Sequence, residues 1–150
     1  MSGPANDEFA KSYGALDQVA PDVKTQEAIR ADCLLAFPHE HRGEGTEVAI
    51  DTKEFTCLCP WTGLPDFGTL RVRYVPDALC LELKSFKYYL LSYRSVGIVQ
   101  EGAANRILED LVRVCSPKRM TVVLDYEVRG GIHSVVSATH PPAEGPGGRD

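Results

Sequence analysis

Apolar and polar positions alternate in two stretches of the first half of the chain and two near its end, with two helical patterns between them. Over 47–58 the alternation predicts a strand, with Val48 and Ile50 on one side and Glu47 and Asp51 on the other. Over 67–76 it is clearer. Leu70, Val72 and Tyr74 face one way and Thr69, Arg71 and Arg73 the other, before Pro76-Asp77 turns the chain. Over 83–94 the period becomes helical. Phe86, Tyr89, Leu90 and Tyr93 fall on one face, Lys84, Lys87 and Arg94 on another, and Gly97 ends the pattern. A second amphipathic helix is predicted over 101–115. Its stripe is Ala104, Ile107, Leu108, Leu111, Val112 and Cys115, and Ser116-Pro117 stops it. Two further alternating strands, 119–129 and 132–139, meet at Gly130-Gly131, a suitable two-residue hairpin turn.

Strand, strand, helix, helix, strand, strand, with no internal repeat, predicts an α+β fold: an antiparallel four-stranded sheet with both helices on one face. Such a sheet has open edges and a half-covered apolar face, so edge-to-edge homo-oligomers are expected. Residues 1–25 are small and polar and read as a mobile or weakly packed arm. Residues 26–140 read as a single domain, and the Pro/Gly-rich residues 141–150 as a flexible tail. Within the domain, 23–37 is either a short helix or an edge segment, and 39–45 is loop chemistry.

Composition narrows the function. At 150 residues the chain can bury a real core. A net charge of -5 argues against direct nucleic-acid binding, which calls for a basic field. No apolar run reaches membrane-spanning length, and the polar N-terminus with Asp7 and Glu8 does not read as a secretory signal. Five cysteines, an odd number at ordinary density, suit free thiols in a reducing cytoplasm.

Candidate chemistry concentrates over 55–68. Cys57 and Cys59 stand two apart on a strand that Pro60 must end, since proline gives the ladder no N–H. Asp66 follows seven positions after Cys59, where a turn could fold its carboxylate back toward the thiol. A nucleophilic cysteine with a carboxyl proton partner is one reading. A buried inert cysteine and a turn-forming Asp is the other. Lys84, Ser85 and Lys87 near a helix start could hold a phosphate, or form a solvated face with a capping Ser. Gln100-Glu101 opens the second helix, and Glu101 either offsets the helix dipole or accepts two N–H groups from a guanine-like edge. There is no Gly-rich dinucleotide fingerprint. His39, His41, Cys57 and Cys59 do not match common zinc spacings, so no metal is expected.

The run 82–89, Glu-Leu-Lys-Ser-Phe-Lys-Tyr-Tyr, with Leu58-Cys59-Pro60, Thr62-Gly63 and Pro65-Asp66-Phe67, resembles the signature segments of 7-cyano-7-deazaguanine reductase. This is the NADPH-dependent nitrile reductase of tRNA queuosine biosynthesis, here in its short single-module form. The resemblance runs from about 47 to about 140 and implies the tunnelling fold (T-fold), in rings that stack as two pentamers. It implies Cys59 as the nucleophile forming a thioimide with the nitrile carbon, and Asp66 as proton donor. Leu81, Glu82 and Leu83 would line the substrate base, Glu101 would anchor it with Gln100 beside it, and Lys84, Ser85 and Lys87 would serve NADPH. Many members have His where this chain has Gln100. A neutral amide can hydrogen-bond a substrate but cannot exchange protons near neutral pH, which moves acid-base work toward Asp66. Other readings on the same fold are a zinc-dependent pterin or GTP cyclohydrolase-like enzyme, an amidine-forming relative, and a non-catalytic purine-binding oligomer.

Overall fold

The computed structural model of the chain describes residues 4–19 and 22–144. The expected tail beyond 144, and residues 1–3, 20 and 21 of the arm, lie outside the described residues.

The principal sheet is antiparallel, in the order β2 (Val48–Leu58), β3 (Pro65–Val75), β5 (Arg119–Tyr126), β6 (Val135–His140). Its register follows from which side chains are apolar. Leu70, Val72 and Tyr74 of β3 stand opposite Leu124, Val122 and Met120 of β5, and all six are buried. A one-residue slip would turn this set to the other face, which the core does not allow. β2 carries an irregularity between Thr52 and Phe55 that leaves Lys53 and Glu54 exposed.

Helices α2 (Leu83–Leu91) and α3 (Gln100–Cys115) contribute Phe86, Tyr89, Ala104, Ile107 and Leu111 to the same core. The Glu82 carboxylate caps α2 by accepting from the backbone N–H groups of Lys84 and Ser85, both at 2.7 Å. α3 ends at Ser116, whose φ of 43° puts it in the left-handed region just before Pro117. Asp110 is buried within α3. It accepts from Tyr89 at 2.8 Å, Arg106 at 2.8 Å and Arg113 at 3.0 Å, tying α3 to α2.

Several expectations need correction. The last two strands are shorter than predicted, and a longer connection separates them. Its Gly130-Gly131 turn is closed by an isolated bridge between Arg129 and Ile132. The 23–37 segment is neither a helix nor part of the main sheet. It makes two short 3-10 turns and then β1 (Ala36–Pro38), which pairs with β4 (Leu79–Leu81). Three-residue strands carry too few positions to show a period. Residues 4–15 of the arm are helical (α1, Pro4–Ala15), with Phe9 and Tyr13 exposed.

Replacing Asp110 with Ala removes the partner of Arg106 and Arg113 and one of the two hydroxyl partners of buried Tyr89. Urea unfolding should show a loss of about 2 kcal/mol. A loss below about 1 kcal/mol would mean that ordinary surface-like hydrogen bonding is all the network provides.

Candidate active site

The site forms where β2 ends. Leu58 donates its N–H to the Val96 carbonyl at 2.9 Å and accepts from the Ile98 N–H at 3.1 Å, so the strand end is fastened to the segment leading into α3. Gly97 allows this approach. A Cβ there would lie 3.3 Å from the Pro60 backbone and 2.6 Å from a Val23 methyl. Past Leu58 the chain leaves the ladder at Cys59 and closes a tight loop. Cys59 donates its N–H to the Leu64 carbonyl at 2.9 Å, and its own carbonyl accepts from Gly63 at 2.8 Å. Gly63 has φ +68°, which a side chain would disfavour. The chain then returns as β3, putting Asp66 across from Cys57.

The result is a cleft of about 310 Å³ whose walls include Cys59, Trp61, Asp66, Gln100, Glu101 and Arg129. That is at the lower end of small-molecule sites. Four residues singled out in the sequence, Cys59, Asp66, Gln100 and Glu101, therefore meet although they come from three separate elements. The two neighbouring cysteines differ sharply. Cys59 is half-buried, and its thiol is brought down to about 7. The Thr62 hydroxyl is the main cause, followed by the backbone N–H of Thr62, with Trp61 N–H and the Arg129 guanidinium adding to it against partial burial. Cys57 is fully buried and pushed up to about 12, by burial first and then by the carboxylate of Asp66. One thiol is equipped to act as a nucleophile near neutral pH; the other is an inert core residue.

Spacing could not reveal Arg129, which lines the cleft, or Ser134 and Tyr126, which hold Gln100. Arg129 donates to Asp66 Oδ1 at 2.5 Å and to Thr62 Oγ1 at 3.3 Å. Ser134 donates to Gln100 Oε1, while the Tyr126 hydroxyl donates to the Gln100 carbonyl at 3.2 Å. Arg129 is 63 residues from Asp66 in sequence, and the only trace of it was the Gly-Gly turn beside it.

The other predicted residues lie elsewhere. Leu81 is buried, its N–H donating to the Tyr74 hydroxyl at 3.0 Å, and Leu83 is exposed. Glu82 is occupied as the α2 cap, and the N–H groups of Ser85 and Lys84 hold its carboxyl below the usual range. The Ser85 hydroxyl is buried, donating to the Glu82 carbonyl at 2.8 Å and accepting from Leu35 N–H at 3.0 Å. Lys84 and Lys87 are exposed, Lys87 standing 3.4 Å from Glu54. Leu81, Glu82, Leu83 and Lys87 border depressions beside Ile50, which share no wall with the cysteine cleft. The nearest of them, Lys87, lies against Glu54, five strand residues before Cys59 and roughly 17 Å away at strand rise. Within one copy the two groups do not meet.

Comparison with known proteins identifies the family. A family model described as QueF-like protein matches residues 65–144. The NADPH-dependent 7-cyano-7-deazaguanine reductase of Caldicellulosiruptor bescii is 49% identical over 119 residues, covering 79% of this chain and 91% of that protein. Its counterpart of the same name in Thermomicrobium roseum is 55% identical over 114 residues, covering 75% and 89%. Among solved structures, the archaeosine synthase QueF-Like in the apo form aligns with a TM-score of 0.58 at 26% identity, over 62% of this chain and 91% of that one. Fold and relatives together define an α+β oxidoreductase with antiparallel sheets. The chain belongs to the QueF-like family, alongside the NADPH-dependent 7-cyano-7-deazaguanine reductases.

A lowered thiol pKa means that thiolate is present above about pH 7 and lost below it. Iodoacetamide labelling of the native protein should therefore rise through a midpoint near 7 at Cys59 and leave Cys57 unlabelled. Thr62→Val should move that midpoint upward; an unmoved midpoint would remove the hydroxyl as the principal cause.

Proposed function

We propose that this protein reduces the nitrile of 7-cyano-7-deazaguanine to the primary amine of 7-aminomethyl-7-deazaguanine, in tRNA queuosine biosynthesis, through a thioimide on Cys59. The observation that carries the reading is the cleft in which an activated thiol, a carboxyl and the Gln100-Glu101 edge converge. In this reading Glu101 accepts N–H groups of the base, and Gln100 hydrogen-bonds beside it without exchanging protons. The Cys59 thiol passes its proton to the Asp66 carboxylate, which relays it to the nitrile nitrogen as the sulfur adds to the carbon, and this leaves a C=N bond whose carbon is bonded to sulfur. After the first two-electron reduction the carbon–sulfur bond breaks, the pair returning to Cys59 and leaving an imine. A second two-electron reduction gives the amine. The walls of the cleft must keep water from the imine between the two steps.

NADPH supplies the hydride, once for each of the two reductions. The exposed ammonium groups of Lys84 and Lys87 fit a cofactor phosphate. The N–H groups at the start of α2 do not offer one a seat, because the Glu82 carboxylate already holds them at 2.7 Å. Ser85 then supports the α2 start rather than touching the cofactor. Leu81, Glu82 and Leu83 would line the base together with those lysines in a shared site. Their separation from Cys59 within one copy supports a site completed between copies. The sheet order leaves β2 and β6 as edges that neighbouring T-fold units can extend, consistent with stacked pentamers. Five free thiols suit the cytoplasm, and no helix among the described residues is long and apolar enough to cross a membrane.

An amidine-forming reaction is the second reading, because the solved structural neighbour is an archaeosine synthase QueF-Like. The two part at the first assay. Oxidation of two NADPH per 7-cyano-7-deazaguanine supports nitrile reduction, and ammonia incorporation without NADPH oxidation overturns it. Asp66→Asn should slow adduct formation roughly 10²–10⁴-fold. Cys59→Ala should abolish the adduct in intact-protein mass spectra; an adduct mapped to Cys57 would displace Cys59 from this role. Light scattering should report a decamer, and a stable monomer with full turnover would refute the shared site.

A further inference from the structure

Arg129 is not accounted for by the chemistry above. It lies at the base of the exposed Gly130-Gly131 turn, its side chain 41% exposed, and it reaches across to two different groups of the cysteine cleft. One guanidinium nitrogen donates to Asp66 Oδ1 at 2.5 Å, and the other donates to Thr62 Oγ1 at 3.3 Å. The same Thr62 oxygen accepts the Leu64 N–H at 3.3 Å. A hydroxyl has two lone pairs and one proton. With both lone pairs engaged, only the Thr62 proton is left to give to a further acceptor. The Asp66 side chain is only 7% exposed, so its carboxylate needs a fixed counter-charge there.

We infer that Arg129 is the positioning residue of this site: one fork of its guanidinium aims Asp66, and the other ties down the Thr62 hydroxyl in the tight loop that begins at Cys59. This rests on the reading of Cys59 as the nucleophile. Arginine suits the task because its planar fork serves two acceptors at fixed angles, which an ammonium cannot do. The Thr62 hydroxyl is also the largest cause of the lowered Cys59 thiol, with the guanidinium itself a smaller one. The ionisable groups around the sulfur are Arg129 from the turn, Asp66 from β3, Cys57 from β2, Glu101 from α3 and, beyond Asp66, Tyr126 from β5. Of these only Arg129 is a cation.

Labelling of Cys59 across pH tests this without nitrile or NADPH. Absence of nitrile-dependent NADPH oxidation in the parent protein would therefore sink the proposed reaction and leave the role of Arg129 readable. Arg129→Gln should raise the labelling midpoint by roughly one pH unit. It should also slow thioimide formation about tenfold or more, with the circular dichroism spectrum retained. Arg129→Lys keeps the charge and loses the fork, so its midpoint should rise less while adduct formation stays slow. The shift from Arg129→Gln should not add to that of Thr62→Val, because both act on one hydroxyl. An unchanged midpoint in Arg129→Gln, or full additivity with Thr62→Val, overturns the inference. Should Arg129→Gln fail to fold, Arg129→Lys decides alone: parent-like labelling and adduct rates would show that charge without positioning suffices.

Discussion

Leu58 gives its N–H to Val96 and takes one from Ile98, and these two bonds decide where the chemistry lies. Each is worth only about 1 kcal/mol as an ordinary backbone bond. Their consequence is geometric. They fasten the end of the β2–β3 hairpin to the approach of α3, so the first residue beyond the strand faces the first turn of that helix. Gly97 lets the two backbones come together against Pro60. Without this closure Cys59 would stand on a loop with no opposing wall.

Around that junction, two cysteines two residues apart have opposite fates. Cys57 points into the core beside an acidic neighbour, where a charge would be costly, and it is held near 12. Cys59 points into a loop whose hydroxyl, N–H groups and guanidinium all favour negative charge, and it sits near 7. The difference comes from the direction each side chain takes and the donors it meets, not from the residue type. Donors fixed before the reaction begins cost nothing to reorganise as charge develops.

The far end of β2 has different work. Glu82 and Ser85 are spent on holding the start of α2, which leaves Lys84, and Lys87 beside Glu54, as the exposed cations of that segment. The charged helix start and the Cys59 cleft share no wall within one copy, and the proposed reaction needs both. Neither is a complete site for a reductant and its acceptor. In the proposed reading a neighbouring copy meets the outer edge of β2 or β6 and brings the two together.

Much of this was legible in the chain itself. The alternation through Leu70, Val72 and Tyr74 and the helical stripe through Ile107 and Leu111 announced the sheet and the second helix, because burial repeats with the period of the backbone. Pro60 marked the strand end to within a residue. The two short strands at Ala36–Pro38 and Leu79–Leu81 were not legible, since three residues hold no period. Ser85 and Glu82 stood in a signature run, and only coordinates show their hydrogen bonds turned inward. By itself the sequence determined the four long strands and the two core helices, their order, and the presence of Cys59, Asp66, Gln100 and Glu101, because these depend on local periodicity and residue type. Tertiary structure alone decided which cysteine is activated, that Arg129 and Thr62 surround it, and that the lysines lie apart from it. Those outcomes depend on distances between residues dozens of positions apart, which no local pattern encodes.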